Sequence, residues 1–336
     1  MTRPERRLRV LESFRAPRAT SNPYLVLLLR SLAPHVDVRT FSWPAALLGR
    51  YDVLHVHWPE VVVERRHPLR ALAAATLFAL VLLRCRLLGV GVVRTAHNVA
   101  PHEGASGVVR AVLRLCDRTT RHWVRLNEHT PTPEGALVTT APIGDYRAWF
   151  PGVDGVATAP VPGRVLYFGL IRPYKGVEAL LAAFAATPGD LSLRVTGSPR
   201  TRELGATIEA LAATDRRVSL SLTHVPDEDL AREVLEAELV ALPYRDMHNS
   251  SAAVLALSLD RPVLVTDNAV TRDMAAEMGE DFVLRYQGEL DADALRAALD
   301  AARTTRGRRP DLSARTWDRI GELHAAAFRQ AARRGR

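Results

Sequence analysis

Cysteine is nearly absent from the 336-residue chain: Cys85 and Cys116 stand in apolar or helical stretches, with no CxxC and no Cys/His cluster. That excludes a disulfide-stapled scaffold and reads as two buried thiols in a reducing cytoplasm. Aromatics are only 6% and are not interleaved with the scattered basic residues, which argues against a nucleic-acid surface. The opening MTRPERRLRVLESF lacks the long apolar stretch of a secretory signal. Arginine greatly outnumbers lysine, in part a codon bias, so a single arginine carries little weight. No GxxxxGK[ST] occurs, so the chain is not a P-loop NTPase. No DxD stands at a predicted strand end; Asp291–Asp293, in ELDADALR, reads as a helix cap.

What is present is a large apolar fraction and a positive balance. At 47% apolar the chain can build a real core, and its length favours two domains. The net charge of +8 favours anionic partners without choosing among nucleotide, nucleic acid and acidic membrane. Strand-like and helix-like runs alternate. RLRVLESF precedes a helix over NPYLVLLLRSLAPHV, with Asn22 as N-cap and Pro23 at its first position. DVRTFSW, YDVLHVHWPE, a helix over 68–88, GVGVVRTAHN and a helix over 105–122 follow, then short strands in HWVRLNEH and LVTTAPIG. PGVDGVATAPVPG, 151–163, is rich in Gly and Pro and reads as a linker. The alternation restarts at RVLYFGLI, with helices over 176–186, 200–213, 226–237, 250–259 and 270–278. The pattern predicts two α/β domains with doubly wound parallel sheets, 1–150 and 164–310, and a helical tail, 311–336, packing back on the first.

The stretch PLRALAAATLFALVLLRCRLL carries no charge between Arg70 and Arg84, a run too short to span a bilayer. It reads either as a core helix on the sheet or as a helix dipping into a membrane surface, with Arg84 and Arg86 near headgroups.

Open parallel sheets bind ligands beyond the carboxyl ends of their strands. Four predicted ends carry polar residues: His57, Trp58 and Glu60; His97 and Asn98; Arg172 and Lys175; Tyr244, Arg245 and the turn 248–251. In FGLIRPYKG a strand hands over directly to a helix, where free N–H groups and the helix dipole favour an anion. Arg172 supplies a fork, Lys175 a point charge, and Gly176 a close backbone approach. The set suits a diphosphate; a solvated basic loop explains the spacing equally.

Taken in order, DVLHVHWPE, VVRTAHN, FGLIRPYKGVEALLAAF, LRVTGSP, VPDEDLAREVLEAELVALPY and NSSAAVLALSLDRPVLV resemble the GT-B glycosyltransferases along nearly the whole chain. The resemblance is strongest to family-4-like bacterial enzymes that build surface polysaccharides from nucleotide sugars. It implies two Rossmann-like domains facing a cleft, the first on the acceptor side and the second binding the donor. The implied reaction moves a sugar from GDP-mannose or a UDP-sugar to a lipid-linked or polysaccharide acceptor. No cofactor beyond the donor and no metal are expected. Arg172 and Lys175 would neutralise the donor diphosphate, helped by Asn249, Ser250 and Ser251 at a helix head, and His97 would contact the transferred sugar. His224 and Val225 would hold the nucleobase, with Gly169, Tyr244 and Arg245 beside the nucleotide. Asn22, His57, Trp58 and Asn98 fall on the acceptor side, and Asp145 on a segment lining the cleft.

Two departures stand against the family pattern. A pair of glutamates, one near the donor sugar and one on the ribose, is missing: Met247 and Leu255 occupy those places. TSNPY replaces the glycine-rich loop after the first strand. These departures keep open a non-catalytic GT-B-like binding subunit. For an enzyme, the proton of the acceptor hydroxyl needs a taker, and Glu60, His57 and His97 are the candidates. His55, facing away from Val56, reads as a packed side chain. The expected location is cytoplasmic, peripheral on the inner face of an anionic membrane.

Overall fold

The computed structural model describes residues 6–18, 22–65, 67–97, 107–150 and 159–333. The chain divides into two compact units, Met1–Gly144 with Arg315–Arg336, and Asp145–Ala314.

The first unit holds β1 (Arg9–Glu12), α1 (Pro23–Leu32), β2 (Asp37–Arg39), α2 (Trp43–Leu48), β3 (Val53–Val56), α3 (Pro59–Val63), α4 (Pro68–Leu87), β4 (Gly91–Ala96), α5 (Gly107–Thr119), β5 (His122–Arg125) and β6 (Leu137–Thr140). Its strands are all parallel, in the order β2-β1-β3-β4-β5-β6. Val53, Leu54, Val56, Val92, Val93 and Val124 are fully buried, as strands covered on both faces require. The winding reverses between β1 and β3.

The second unit holds β7 (Arg164–Phe168), α6 (Val177–Ala186), β8 (Ser192–Thr196), α7 (Arg202–Ala212), β9 (Val218–Ser221), α8 (Asp227–Glu236), β10 (Leu239–Leu242), α9 (Ser251–Ser258), β11 (Val263–Thr266), α10 (Ala269–Met278), β12 (Val283–Tyr286) and α11 (Ala292–Arg303). These strands are also parallel, in the order β12-β11-β10-β7-β8-β9, with the reversal between β7 and β10. The last helix, α12 (Trp317–Arg333), returns to the first unit and packs on α1, β4 and β5 through Ile320, His324, Phe328 and Ala331.

The structure corrects the sequence reading in three places. The chain leaves the first unit at Gly144, ahead of the Gly/Pro-rich stretch, of which 151–158 lie outside the described residues. Residues 145–150 pack instead with the second unit: Tyr146 N–H donates to Ser258 Oγ (2.8 Å), Arg147 pairs with Asp260 (3.0 Å), and Trp149 Nε1–H donates to Asp227 (2.9 Å). Second, α4 is 20 residues long and, by length and composition, long and apolar enough to cross a bilayer. It is nevertheless one layer of the first unit, with Ala74, Ala75, Phe78, Val81, Leu82 and Cys85 buried. Third, Arg84 turns inward rather than outward. Its guanidinium donates to Gly49 O (2.5 Å) and lies 5.0 Å from the Tyr51 ring centre.

Candidate active site

In the second unit the reversal point gathers several of the residues expected there. β7 ends at Phe168, Gly169 turns the chain with φ +115°, and Pro173–Lys175 form a single 3-10 turn. Gly176 then starts α6 in the left-handed region, φ +67°. A Cβ on Gly176 would lie 2.2 Å from Pro243 O, so only glycine lets this turn press against the end of β10. Gly197, after β8, plays the same part: a Cβ there would lie 1.8 Å from Gly169 O.

This packing fixes Lys175. Its Nζ donates to Tyr244 Oη (3.2 Å) and stands 4.6 Å from the Tyr244 ring centre. Its other side faces Gly169, whose missing Cβ would be 3.8 Å away. Lys175 is the only lysine of the chain. Burial, and then the Arg172 charge, lower its pKa to about 8. Among the described residues neither Arg172 nor Lys175 has a carboxylate partner, whereas Arg164, Arg194 and Arg217 are paired with Glu236, Glu233 and Asp215. Two adjacent half-buried cations therefore share one turn with no carboxylate beside them among the described residues.

The neighbours have defined states. Burial raises the Tyr244 phenol pKa, with Ser250 opposing, so Tyr244 is a neutral hydroxyl. Ser250 is the N-cap of α9, accepting from Ala253 N–H (3.1 Å). Asn249 is half-buried and Ser251 is exposed. Arg245 is exposed, and its backbone N–H holds Tyr174 O (2.9 Å). Met247 and Leu255 are both buried, so the places of the missing glutamates belong to the apolar core. His224 and Val225 are not drawn into this cluster. They line a groove of about 600 Å³ with Ser192, Ser221, Arg194 and Glu233, and no described hydrogen bond or ring contact links them to Lys175. Asp145 accepts from Arg147 N–H (3.0 Å), a local turn. Asp291 caps α11 (2.8 Å), and a further DxD at Asp227–Asp229 lies in the first turn of α8.

The reversal point of the first unit holds histidines. Glu12, the last residue of β1, is fully buried and stands in register with His55 of β3. Its carboxylate meets His55 Nδ1 (3.0 Å) and His57 Nε2 (3.2 Å). His57 Nδ1 meets His97 Nε2 (3.0 Å), and His55 Nε2 meets Thr95 Oγ1 (2.8 Å). Trp58 stacks on His97 with ring centres 4.0 Å apart, and Tyr24 presents its edge at 5.6 Å. Burial pushes the Glu12 pKa up, but His55 and His57 reverse this and leave it at about 2. Burial, then the nearby His55, lowers His57 to about 4 despite Glu12. Burial, then His57, holds His97 well below the usual histidine range. The array therefore contains one carboxylate, and His57 and His97 are neutral imidazoles at neutral pH.

His57, Trp58 and His97 thus meet, as their strand ends require. Glu60 does not join them. It sits half-buried in the first turn of α3, close enough to help raise the Cys116 thiol pKa, and among the described residues its carboxylate makes no hydrogen bond. Asn22 caps α1 by accepting from Tyr24 N–H (3.0 Å), and Asn98 lies outside the described residues. His55 is more than packing, since both ring nitrogens are bonded. Glu12 escaped sequence reading because it lies within RLRVLESF, a run read only as a strand, and nothing in that run marks what it faces. His55 Nδ1, His57 Nε2 and a Glu12 oxygen lie within 4.8 Å of one another, the reach of a cation site. The side chains already satisfy one another as hydrogen-bond partners.

No protein-family model matches the chain. It is 45% identical over 327 residues to the GDP-mannose:glycolipid 4-beta-D-mannosyltransferase of Xanthomonas campestris pv. campestris, covering 97% of this chain and 93% of the relative. Among solved structures it resembles AviGT4, a glycosyltransferase involved in avilamycin A biosynthesis (TM-score 0.61, 14% identity, 97% and 98% of the two chains). It also resembles Anabaena HepE, solved in complex with UDP (TM-score 0.58, 14% identity, 96% of each). At that identity the two structures speak for the fold alone.

Proposed function

The chain belongs to the glycosyltransferase family of its Xanthomonas relative and has the GT-B fold; from that premise we propose that it transfers mannose from GDP-mannose to a glycolipid, with inversion and without a metal. The carrying observation is Lys175, the sole lysine, held with Arg172 at a reversal point and lacking a protein anion. A diphosphate supplies that anion. Negative charge builds on the leaving phosphate during transfer, so a prepositioned pair of cations stabilises the transition state more than the ground state. The helix start at Val177 and the neutral Tyr244 hydroxyl complete the donor side. In GDP-mannose the sugar is α-linked, so a β-linked product of the kind the relative's name states requires a single displacement. The acceptor oxygen attacks from the face opposite the diphosphate, and a base must take its proton.

Calorimetric titration with GDP-mannose, GDP and UDP, with and without EDTA, tests this reading. Tight binding of the guanosine nucleotides, unaffected by EDTA and lost in Lys175→Ala, is expected, together with mannosyl transfer to a glycolipid by the wild type. Binding without transfer to any glycolipid would instead favour the binding-subunit reading that Met247 and Leu255 suggest.

The glycolipid acceptor gives α4 a further role. Leu69, Leu72, Leu80, Leu83 and Leu87 are all half or more exposed or close to it, and their spacing puts them on one face. That face is opposite the one formed by Phe78, Val81 and Cys85, which is buried. Val61, Leu88 and Leu48 extend the apolar surface, and the exposed Arg65 and Arg86 flank it. This reading places the first unit against an anionic membrane surface through that stripe, with Arg86 and not Arg84 near headgroups. Co-sedimentation with phosphatidylglycerol vesicles should fall sharply in Leu80→Glu/Leu83→Glu while GDP-mannose binding is kept. Unchanged sedimentation would remove this surface from the proposal.

A further inference from the structure

We propose that Glu12, His55 and His57 bind a divalent transition-metal ion of the zinc class, which ties the ends of β1 and β3 together where α12 packs on them. The ion is held by the first unit alone. It is separate from the donor site of the second unit, proposed above to work without a metal, and does not rest on the transfer reading.

The sheet delivers the ligands. His55 and His57 flank Val56, the last residue of β3, and residues two apart on an extended chain share a face. Glu12 is the register partner of His55 on the neighbouring parallel strand. Both histidines reach its carboxylate: His55 Nδ1 at 3.0 Å and His57 Nε2 at 3.2 Å. Around a tetrahedral zinc with bonds of about 2.0–2.1 Å, ligand atoms stand ~3.3 Å apart. The carboxylate and each imidazole are thus already close to the separation a shared ion imposes, and all three side chains are buried.

Charge points the same way. Among the described residues the ion-pair partners of Glu12 are these two imidazoles, and no arginine pairs with it. A buried charge is costly unless a countercharge is fixed beside it. A divalent ion supplies a permanent one, taking the place of the ring protons that face the carboxylate. The outer contacts are also in place. His55 Nε2 meets Thr95 Oγ1 (2.8 Å) and His57 Nδ1 meets His97 Nε2 (3.0 Å). Imidazoles that hold a metal through one nitrogen are usually oriented by such a contact at the other.

A separate observation comes from α12. His324 is fully buried, its ring centre lies 5.5 Å from that of His55, and Glu12, His55 and His57 all act on it electrostatically. Its Nδ1–H donates to Ile320 O (2.8 Å), so in the neutral ring the lone pair is on Nε2. Among the described residues that atom has no hydrogen-bond partner, and buried polar atoms rarely go without one. A zinc with three protein ligands keeps its fourth position for water. Such a water is a donor of the kind His324 Nε2 lacks.

The test uses the full chain, made without an affinity tag, stripped with a chelator and titrated with zinc chloride. Calorimetry should show one tight zinc per chain, with a rise in melting temperature as the ion binds the folded state. Glu12→Gln, shown to fold by circular dichroism, should bind zinc roughly 100-fold or more weakly, beyond the ~10- to 100-fold usual for an outer contact; His324→Phe should cost ~10-fold. Where Glu12→Gln does not fold, ¹⁵N NMR of the wild type with ring-labelled histidines decides alone: zinc should move His55 Nδ1 and His57 Nε2 into the range of metal-bound nitrogens. Zinc uptake that leaves both signals in place means an adventitious ion only and overturns the proposal, as does unchanged affinity in a folded Glu12→Gln. Unchanged affinity in His324→Phe overturns the part given to His324. GDP-mannose binding reports on the donor site, so failure there leaves the zinc result standing, and the reverse.

Discussion

The two sheets reverse their winding at equivalent points, and the chain has filled those points with opposite chemistry. At the β7/β10 reversal stand Arg172 and Lys175, cations without a protein anion, in a turn that glycines allow to pack closely. At the β1/β3 reversal stands a buried carboxylate hydrogen-bonded to two imidazoles. The parallel sheet supplies the place in both cases, and side-chain chemistry decides its use. One point leaves its cations without a carboxylate partner among the described residues; the other bonds its buried carboxylate to two imidazoles.

The change expected to break this contrast most strongly is Lys175→Ala, which should weaken GDP-mannose binding by ~10- to 100-fold, the usual cost of losing a charge-assisted contact. Lys175→Arg should rescue little, because the space between Gly169 and the Tyr244 ring fits a compact ammonium. Calorimetry reads both. Next in size is Gly176→Ala: a methyl 2.2 Å from Pro243 O at φ +67° should cost the second unit about 1–3 kcal/mol or more, seen as a lower denaturant midpoint.

Acid sharpens the contrast further. His57 has its pKa lowered from 6.5 to about 4 by folding, and Glu12 from 4.5 to about 2. In both, the unfolded chain binds protons more readily, so stability is full above the unfolded values. It is lost as pH falls from 6.5 toward 4 and, for Glu12, on toward 2. Near-UV circular dichroism during acid titration should show the first unit loosening over that range, by a few kcal/mol. The second unit has its window elsewhere. Lys175 is lowered from 10.5 to about 8, so donor affinity should be highest below pH 8 and fall as pH rises through it. The smallest effect expected is that of Tyr244→Phe, which keeps the ring under Lys175 and removes one hydrogen bond. A loss of about 2- to 10-fold in donor affinity is the expected outcome.

Much of this was legible in the sequence, for reasons that also explain what was not. Runs such as VLHV and LVAL are apolar throughout because both sheet faces are covered, so strands and their ends could be read directly. Strand ends in turn gave His57, His97, Lys175 and Tyr244. What the sequence could not yield was adjacency. That Glu12 lies beside His55 and His57 follows from β1 pairing with β3, a matter of strand order. That His224 and Val225 line another groove follows from the path of β9 and α8. The lone lysine was a signal in plain view: among 45 basic residues, a single departure from arginine marks a place where arginine does not fit.

The return of α12 to the first unit has a consequence for how the molecule comes into being. Residues 145–314 form an uninterrupted stretch and can close their core as soon as that stretch has left the ribosome. The first unit cannot, because Gly91 receives Ala331 and His55 packs against His324 and Phe328, all made last. The half that is synthesised first is therefore finished second. Until then the His55 ring, bonded to Glu12, lacks the His324 and Phe328 rings that pack against it.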